Sequence, residues 1–170
     1  INDILMISRL ETKEAEVVMT DVRISVLLEE IVGSLKPQAA AGQVFIHIDC
    51  QPLMIRANAQ HMRELFTNLI GNAVKYNRPG GQVWVNVREA DHQMVARVRD
   101  NGVGIPEDSL DRIFERFYRV DKGRSRKQGG TGLGLSIVKH IVGYYHGTIR
   151  VESKLDEGSE FVVILPMDET

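Results

Sequence analysis

Cysteine is almost absent from this chain. Cys50 has no second cysteine to pair with, so no disulfide can close within the 170 residues, which fits a reducing compartment. Cys50 is expected to pack as a small apolar side chain. An excess of charge of either sign is also missing: Lys and Arg number 21 against 23 Asp and Glu, leaving −2. That balance gives a general polyanion-binding role no support. No run approaches the roughly 18 apolar residues of a membrane-spanning helix. Nothing at the start reads as a signal peptide, and no internal repeat is visible. What is present is a hydrophobic fraction of 43%, enough for the core of one compact domain. The first residue is Ile, and the apolar pattern is already under way there, so a fragment of a longer protein is expected.

Periodicity places the elements. Ile4, Leu5, Ile7 and Leu10 form an uncapped helical stripe over Ile1 to Glu11, read as the tail of a longer helix. Glu16 to Thr20 is a short strand candidate. Apolar residues at 24, 27, 28, 31, 32 and 35 predict an amphipathic helix from Ile24, capped by Asp21 or Ser25 and ending near Pro37 or, better, at Gly42. Strands are predicted over 44–48 and 54–57. Asn58 opens a helix to about Tyr76 with Met62, Leu65, Phe66, Leu69, Ile70 and Val74 on one face. A hairpin of 83–88 and 95–98 turns around Ala90 to His92. A helix follows from Leu133 to Tyr145, then a strand pair, 148–152 and 161–165, turning near Asp156 to Gly158. The sum is an α+β fold, a two-layer sandwich with helices on one face of a mixed, mainly antiparallel sheet.

Four patches between residues 68 and 136 carry the chemistry. Asn68, Asn72 and Lys75 lie at steps of four and three, on neighbouring turns of one helix face beside the apolar stripe. Asn offers a neutral oxygen suited to Mg²⁺ that also holds phosphate, and Lys offers a cation. A solvated helix face would carry the same residues. Asp100 ends a strand and is followed by Gly102, Gly104 and Pro106. An ionised Asp only accepts hydrogen bonds, which selects an exocyclic amino group such as that of adenine. The glycines let backbone approach the base; an ordinary polar turn is the alternative. Gly129 to Gly134 directly precedes a helix, so its N–H groups can face anions, although a hinge would look alike. It is neither a Walker run, since no Gly-Lys-Ser/Thr ends it, nor a Rossmann turn, since no strand leads into it.

Between Asn101 and Gly130 the chain is polar and rich in Gly, Arg and Lys, which reads as a lid. Arg116, Arg119, Lys122, Arg124, Arg126 and Lys127 give it a basic character, with one or two expected on phosphate and the rest in solvent. Phe114 and Phe117 are expected to pin it to the domain.

At these residues the sequence resembles the ATP-binding catalytic domain of two-component sensor histidine kinases, in the wider group of gyrase B, Hsp90 and MutL. Asn68 to Tyr76 resembles that family's N box, Asp100 to Gly104 its G1 box, Phe114 to Phe117 its F box, and Gly129 to Gly134 its G2 box. The likeness runs from about Asp21 onward. It implies residues 1–12 as the tail of a truncated dimerisation helix and 13–170 as the catalytic domain, with a lid over about 105–131. It implies ATP and Mg²⁺ as cofactors, with Asn72 on the metal. The nucleotide set is Asn68, Asn72, Lys75, Tyr76, Asp100, Gly102, Gly104, Ile105, Gly130, Thr131, Gly132, Leu133 and Gly134. Asn68, Lys75 and Arg116 are the implied catalytic residues. The implied partners are an acceptor-histidine dimerisation domain of the same protein and, indirectly, a response regulator, with no nucleic acid and no direct membrane contact by this fragment. The fragment would be a monomer from a homodimeric, membrane-bound parent, on its cytoplasmic side.

Two departures from the family bear on function. None of His47, His61, His92, His140 or His146 stands in the acceptor context, a histidine followed by an acidic residue and then Pro. Hydrolysing relatives carry a Glu one turn before the metal Asn, where this chain has Asn68; an amide is a poor general base. The first implies a phosphoryl donor whose acceptor lies elsewhere; the missing Glu and the short chain count against an ATP-driven clamp of the gyrase or Hsp90 type, and intact Asn72, Lys75, Asp100 and the glycines count against a regulatory module without chemistry. Glu64, one turn further back, is expected to be structural.

Overall fold

In the computed structural model, which describes residues 17–118 and 134–167, three helices cover one face of a five-stranded sheet. The elements are β1 (Thr20–Arg23), α1 (Ile24–Gly42), β2 (Phe45–Cys50), β3 (Met54–Ala57), α2 (Ala59–Lys75), β4 (Gln82–Ala90), β5 (Gln93–Asp100), a 3₁₀ turn (Glu107–Ser109), α3 (Gly134–Tyr144), β6 (Thr148–Lys154) and β7 (Gly158–Pro166). The large sheet runs β2-β4-β5-β7-β6. Only the β2–β4 pair is parallel; the other three are antiparallel. This is the expected two-layer α+β arrangement.

Strand alternation builds the core. Val83, Val85 and Val87 of β4, Met94, Ala96 and Val98 of β5, and Phe161, Val163 and Leu165 of β7 are buried together with the apolar stripes of α1, α2 and α3. Residues at the alternate positions lie on the other face, where most are partly or fully exposed, buried Val162 excepted. There Trp84 lies between His47, stacked at 6.1 Å, and the Arg99 guanidinium, 4.4 Å from its ring centre.

Several expected boundaries move. The strand expected at 16–20 is β1, and it pairs with β3 in a separate two-stranded ribbon, Thr20 opposite Ala57. Neither Asp21 nor Ser25 caps α1: Arg23 holds the N-cap position without a side-chain bond, and Asp21 lies in β1, 3.5 Å from Arg56. The chain enters α1 directly from a strand, with the Ile24 N–H donating to Leu53 O. The helix runs through Pro37 to Gly42. Its left-handed end residue is Gln43, whose N–H turns back to Ala39 and Ala40. The β4–β5 turn has both central residues, Asp91 and His92, at positive φ, the geometry that matches strand twist in a two-residue hairpin.

The expected lid divides. Ile113 is buried, and Ile105, Phe114 and Tyr118 pack against the core, so residues 105–118 belong to the domain body. Phe114 meets Phe161 edge-on at 6.4 Å. Phe117 does not share the anchoring: it is 62% exposed with φ of 65°. Tyr118 takes that part instead, its hydroxyl donating to Ser109 Oγ at 2.9 Å while Arg112 covers its ring. Residues 119–133 lie outside the described residues, and with them Arg119, Lys122, Arg124, Arg126 and Lys127.

One polar cluster joins the start of α2 to the end of α3. Asn58 caps α2 through its side chain, which accepts from the His61 N–H. The Asn58 N–H donates to the Tyr145 hydroxyl oxygen at 2.9 Å, and that oxygen sits 2.8 Å from Nδ1 of buried His61. Burial holds His61 below its ordinary 6.5 and pushes Tyr145 up to about 12. Tyr145→Phe strands the Asn58 N–H and should cost about 1–2 kcal/mol in urea unfolding. The His61 sign is set by the unfolded chain, which takes the proton at 6.5 while the fold resists it. Stability should therefore fall as pH drops below 6.5, and His61→Gln should flatten that slope; an unchanged slope would remove His61 as its cause.

Candidate functional site

The described members of the expected site set lie along α2 and at its exit, at the end of β5 and the loop after it, and at the first residue of α3. On α2, Asn68, Asn72 and Lys75 are all half-buried and Tyr76 is 39% exposed. The Asn68 amide donates to Glu64 O at 2.7 Å and to the Glu64 carboxylate at 3.4 Å. Its Oδ1 lies against the first residue of α3: a Cβ placed on Gly134 would fall 2.7 Å from it. A side chain at Gly134 would require Asn68 to move, and Gly134 lies beside the helix face bearing the amides. The Lys75 ammonium lies 5.3 Å from the Tyr76 ring centre.

Asp100 is the last residue of β5, on the helix side of the sheet and half-buried. Desolvation raises its carboxyl to about 6, and N–H donors from Gly102 and Ser159 pull against that rise. The Gly102 N–H to Oδ1 distance is 2.9 Å. A carboxylate kept out of water with spare acceptor capacity suits a ligand amino group.

The loop after Asp100 is clamped on two sides. A Cβ on Gly102 would fall 2.5 Å from Tyr76 O and 2.9 Å from Asn77 Cα. The Val103 N–H donates to Tyr76 O at 3.1 Å. Gly104, at φ 73°, has no room for a side chain beside Lys154 O. The Asp156 N–H donates to Val103 O, and the Ile105 N–H to Ser153 Oγ at 2.7 Å. Ser153 also bonds Gly158 O and the hydroxyl of buried Ser159. The loop is therefore wedged between the exit of α2 and the β6–β7 turn.

These contacts add residues that sequence reading passed over. Arg78 Nη2 donates to Gly102 O at 3.0 Å and to Asp156 O at 3.4 Å. Asn77 bonds Gln82 O, and Asn101 Oδ1 accepts from the Gln82 N–H, which fixes the loop to the start of β4. The visible signal was the density of Asn, Arg, Pro and Gly from 77 to 81, which reads only as a chain break.

Arg116 is exposed, and its charge, after burial and alongside Lys139, helps hold His140 of α3 below its ordinary 6.5. Gly130, Thr131, Gly132 and Leu133 lie outside the described residues. Asn68 and Gly134 mark one end of the site; Tyr76, Gly102 and Asp100 mark the other. The eight steps along α2 from Asn68 to its cap Tyr76 separate those ends by about 12 Å. A ligand that touches both must be elongated.

Relatives agree with this geometry. The chain is 34% identical over 170 residues to sensor protein kinase WalK of Staphylococcus saprophyticus, covering 99% of this chain and 28% of that protein. It is 34% identical to the circadian input-output histidine kinase CikA of Synechococcus elongatus, covering 98% of this chain and 22% of that one. The chain thus spans less than a third of these relatives. Full-length ShkA in complex with AMPPNP superposes with a TM-score of 0.84 at 29% identity, over 99% of this chain and 35% of that one. The mycobacterial sensor histidine kinase MprB shares the fold, with a TM-score of 0.77 at 24% identity over 90% of this chain and all of that one. Residues 57–169, which hold the whole site from the cap of α2 to the end of β7, match the family of histidine kinase-, DNA gyrase B- and HSP90-like ATPases, and the protein belongs to that family.

Proposed function

We propose that this chain is the ATP-binding catalytic module of a sensor histidine kinase, donating the γ-phosphoryl group to a histidine on a dimerisation domain of the same protein for relay to a response regulator. The observation that carries the reading is the half-buried Asp100 carboxylate at the end of β5, followed by a loop packed against the exit of α2. Asp100 accepts from the adenine amino group, and Gly102, Gly104 and Ile105 let backbone lie along the base. Lys75 and Tyr76 face the phosphates, and Gly130 to Gly134 supplies N–H groups at the start of α3.

Among the described residues no cluster of three His, Cys, Asp or Glu could hold a metal unaided. A Mg²⁺ held by Asn72 together with phosphate oxygens fits that composition. Such an ion supplies charge neutralisation at the phosphates. The chain's own residues orient the nucleotide: Asp100 fixes the base, Lys75 the phosphates, and Asn68 keeps α2 against α3. Arg116 completes the set of cations. The acceptor histidine comes from outside the chain, since none of the five histidines has the acceptor context. Among the described residues no helix is long and apolar enough to cross a membrane. We read the chain as a cytoplasmic module of a membrane-bound, homodimeric parent; the relatives, named as sensor and histidine kinases and much longer than this chain, support its place in a larger kinase.

Asp100→Asn should weaken ATP binding by about tenfold or more in calorimetry, because one amide orientation sets donor against donor, a mismatch of roughly 1–3 kcal/mol. GTP should bind the parent poorly for the same reason; equal binding of GTP and ATP would end the adenine role. Affinity for ADP relative to tripolyphosphate should fall as pH drops through about 6, where Asp100 takes up its proton, and Asp100→Asn should lack that step. Asn72→Ala should keep its fold and lose Mg²⁺-dependent transfer to a supplied acceptor domain; full activity would remove Asn72 from the metal. The isolated chain should bind ATP without turning it over. Hydrolysis on the order of 1 s⁻¹ would replace the kinase reading with an ATPase one.

A further inference from the structure

The exit of α2 carries one cation whose bonding is tied to the base-recognition loop. Arg78 follows Tyr76 and Asn77, and its guanidinium reaches the Gly102–Val103 peptide. That peptide is held at both polar atoms by the same short segment: the Val103 N–H donates to Tyr76 O at 3.1 Å, and Arg78 Nη2 donates to the Gly102 carbonyl at 3.0 Å. The same nitrogen reaches Asp156 O at 3.4 Å, and the Asp156 carboxylate is 3.9 Å from it. Arg78 therefore joins three segments far apart in sequence: the end of α2, the loop after Asp100 and the β6–β7 turn. A planar guanidinium suits this task, because its N–H groups diverge in a fixed fork while its charge strengthens each bond to a carbonyl.

We propose that Arg78 is a positioning residue for adenine recognition: by locking the Gly102–Val103 peptide between α2 and the β6–β7 turn, it sets the Gly102 N–H that aims the Asp100 carboxylate. The inference rests on the reading of Asp100 as the adenine acceptor. Gly102 donates to Oδ1 at 2.9 Å, one peptide away from the carbonyl that Arg78 holds, so a rotation of that segment is felt directly at the carboxylate. The steric wall at Gly102 blocks movement toward Tyr76 O, leaving outward drift as the available motion, and Arg78 opposes that drift. The ion pair with Asp156 is incidental: its carboxylate is 91% exposed, where an ion pair contributes little.

The test uses the full 170-residue chain. ADP and tripolyphosphate displace a fluorescent adenine nucleotide from the parent, Arg78→Met, Arg78→Lys and Asp156→Asn, and thermal unfolding is followed in parallel. Arg78→Met keeps the aliphatic stem and loses only the donors. It should lower ADP affinity by about five- to tenfold, the weight of one charge-assisted bond, and leave tripolyphosphate within about twofold. Arg78→Lys should recover part of the ADP affinity, and Asp156→Asn should bind like the parent. Unchanged ADP affinity in Arg78→Met, with or without a lower melting temperature, overturns the proposal. Equal losses for ADP and tripolyphosphate overturn it too, since they would place Arg78 on the phosphates. Should Arg78→Met not fold, Arg78→Lys decides: parent-like ADP affinity overturns the proposal, and a loss confined to ADP supports it. A parent that binds tripolyphosphate but discriminates no base would instead fail the reading of Asp100, a result distinct from these.

Discussion

The site depends on one carboxylate kept partly out of water. Asp100 ends a core strand, so its side chain is delivered to the helix side of the sheet by the same alternation that buries Val98 and Ala96. Desolvation there works against the ion, and the Gly102 and Ser159 N–H donors restore part of what is lost. The surrounding backbone must come close enough to supply those donors. That proximity is why side chains are excluded at three glycines: Gly102 against Tyr76, Gly104 against Lys154, and Gly158, at φ 117°, against the Asp100 carbonyl. An alanine at any of them would push away the segment that holds the acid.

The second constraint is α2, which serves both layers. Its apolar stripe of Met62, Leu65, Phe66, Leu69 and Ile70 is wholly or almost wholly buried. The amide row occupies the flank left over, so packing of the stripe fixes the direction of Asn68 and Asn72. The two ends of the helix are fixed independently. Asn58, His61 and Tyr145 tie its start to the end of α3, while Tyr76, Asn77 and Arg78 tie its end to the loop after Asp100. A helix held at both ends can present a row of ligating groups with little freedom to rotate.

Much of this was legible in the sequence because the signals are local. The period of α2, its Asn58 cap and its end near Tyr76 could be read from one window, and so could the β4–β5 hairpin and the strand pair at the end. The four motif patches, each confined to a short window, supplied the candidate site residues for the same reason. What was not legible acts between segments. Tyr118 replaces Phe117 as the anchor because Ser109 and Arg112 happen to reach it, which no spacing rule encodes. Ser153 and Arg78 work on backbone groups dozens of residues away. Helix α1 starts at Ile24 as its periodicity indicates, but neither Asp21 nor Ser25 caps it: a strand feeds it directly, its first N–H finds Leu53 O, and no side-chain cap is required.

The contacts around Asn68 bear on which chemistry the family's fold supports here. Both hydrogens of its amide sit on the Glu64 side, one on the backbone carbonyl and one on the carboxylate. The other Glu64 oxygen accepts from Gln60 Nε2 at 3.0 Å. Each carboxylate oxygen is thus already engaged along α2, one turn further from Asn72 than a water-activating base would stand. A general base must first reach the water it deprotonates. Glu64 is bound up in the helix flank, and Asn68 has no basic atom to offer. Its carbonyl oxygen lies where a side chain at Gly134 would fall, at the first residue of α3. On this flank of α2, among the described residues, neither Glu64 nor Asn68 is placed to activate water, which accords with the proposed donor that waits for an outside acceptor.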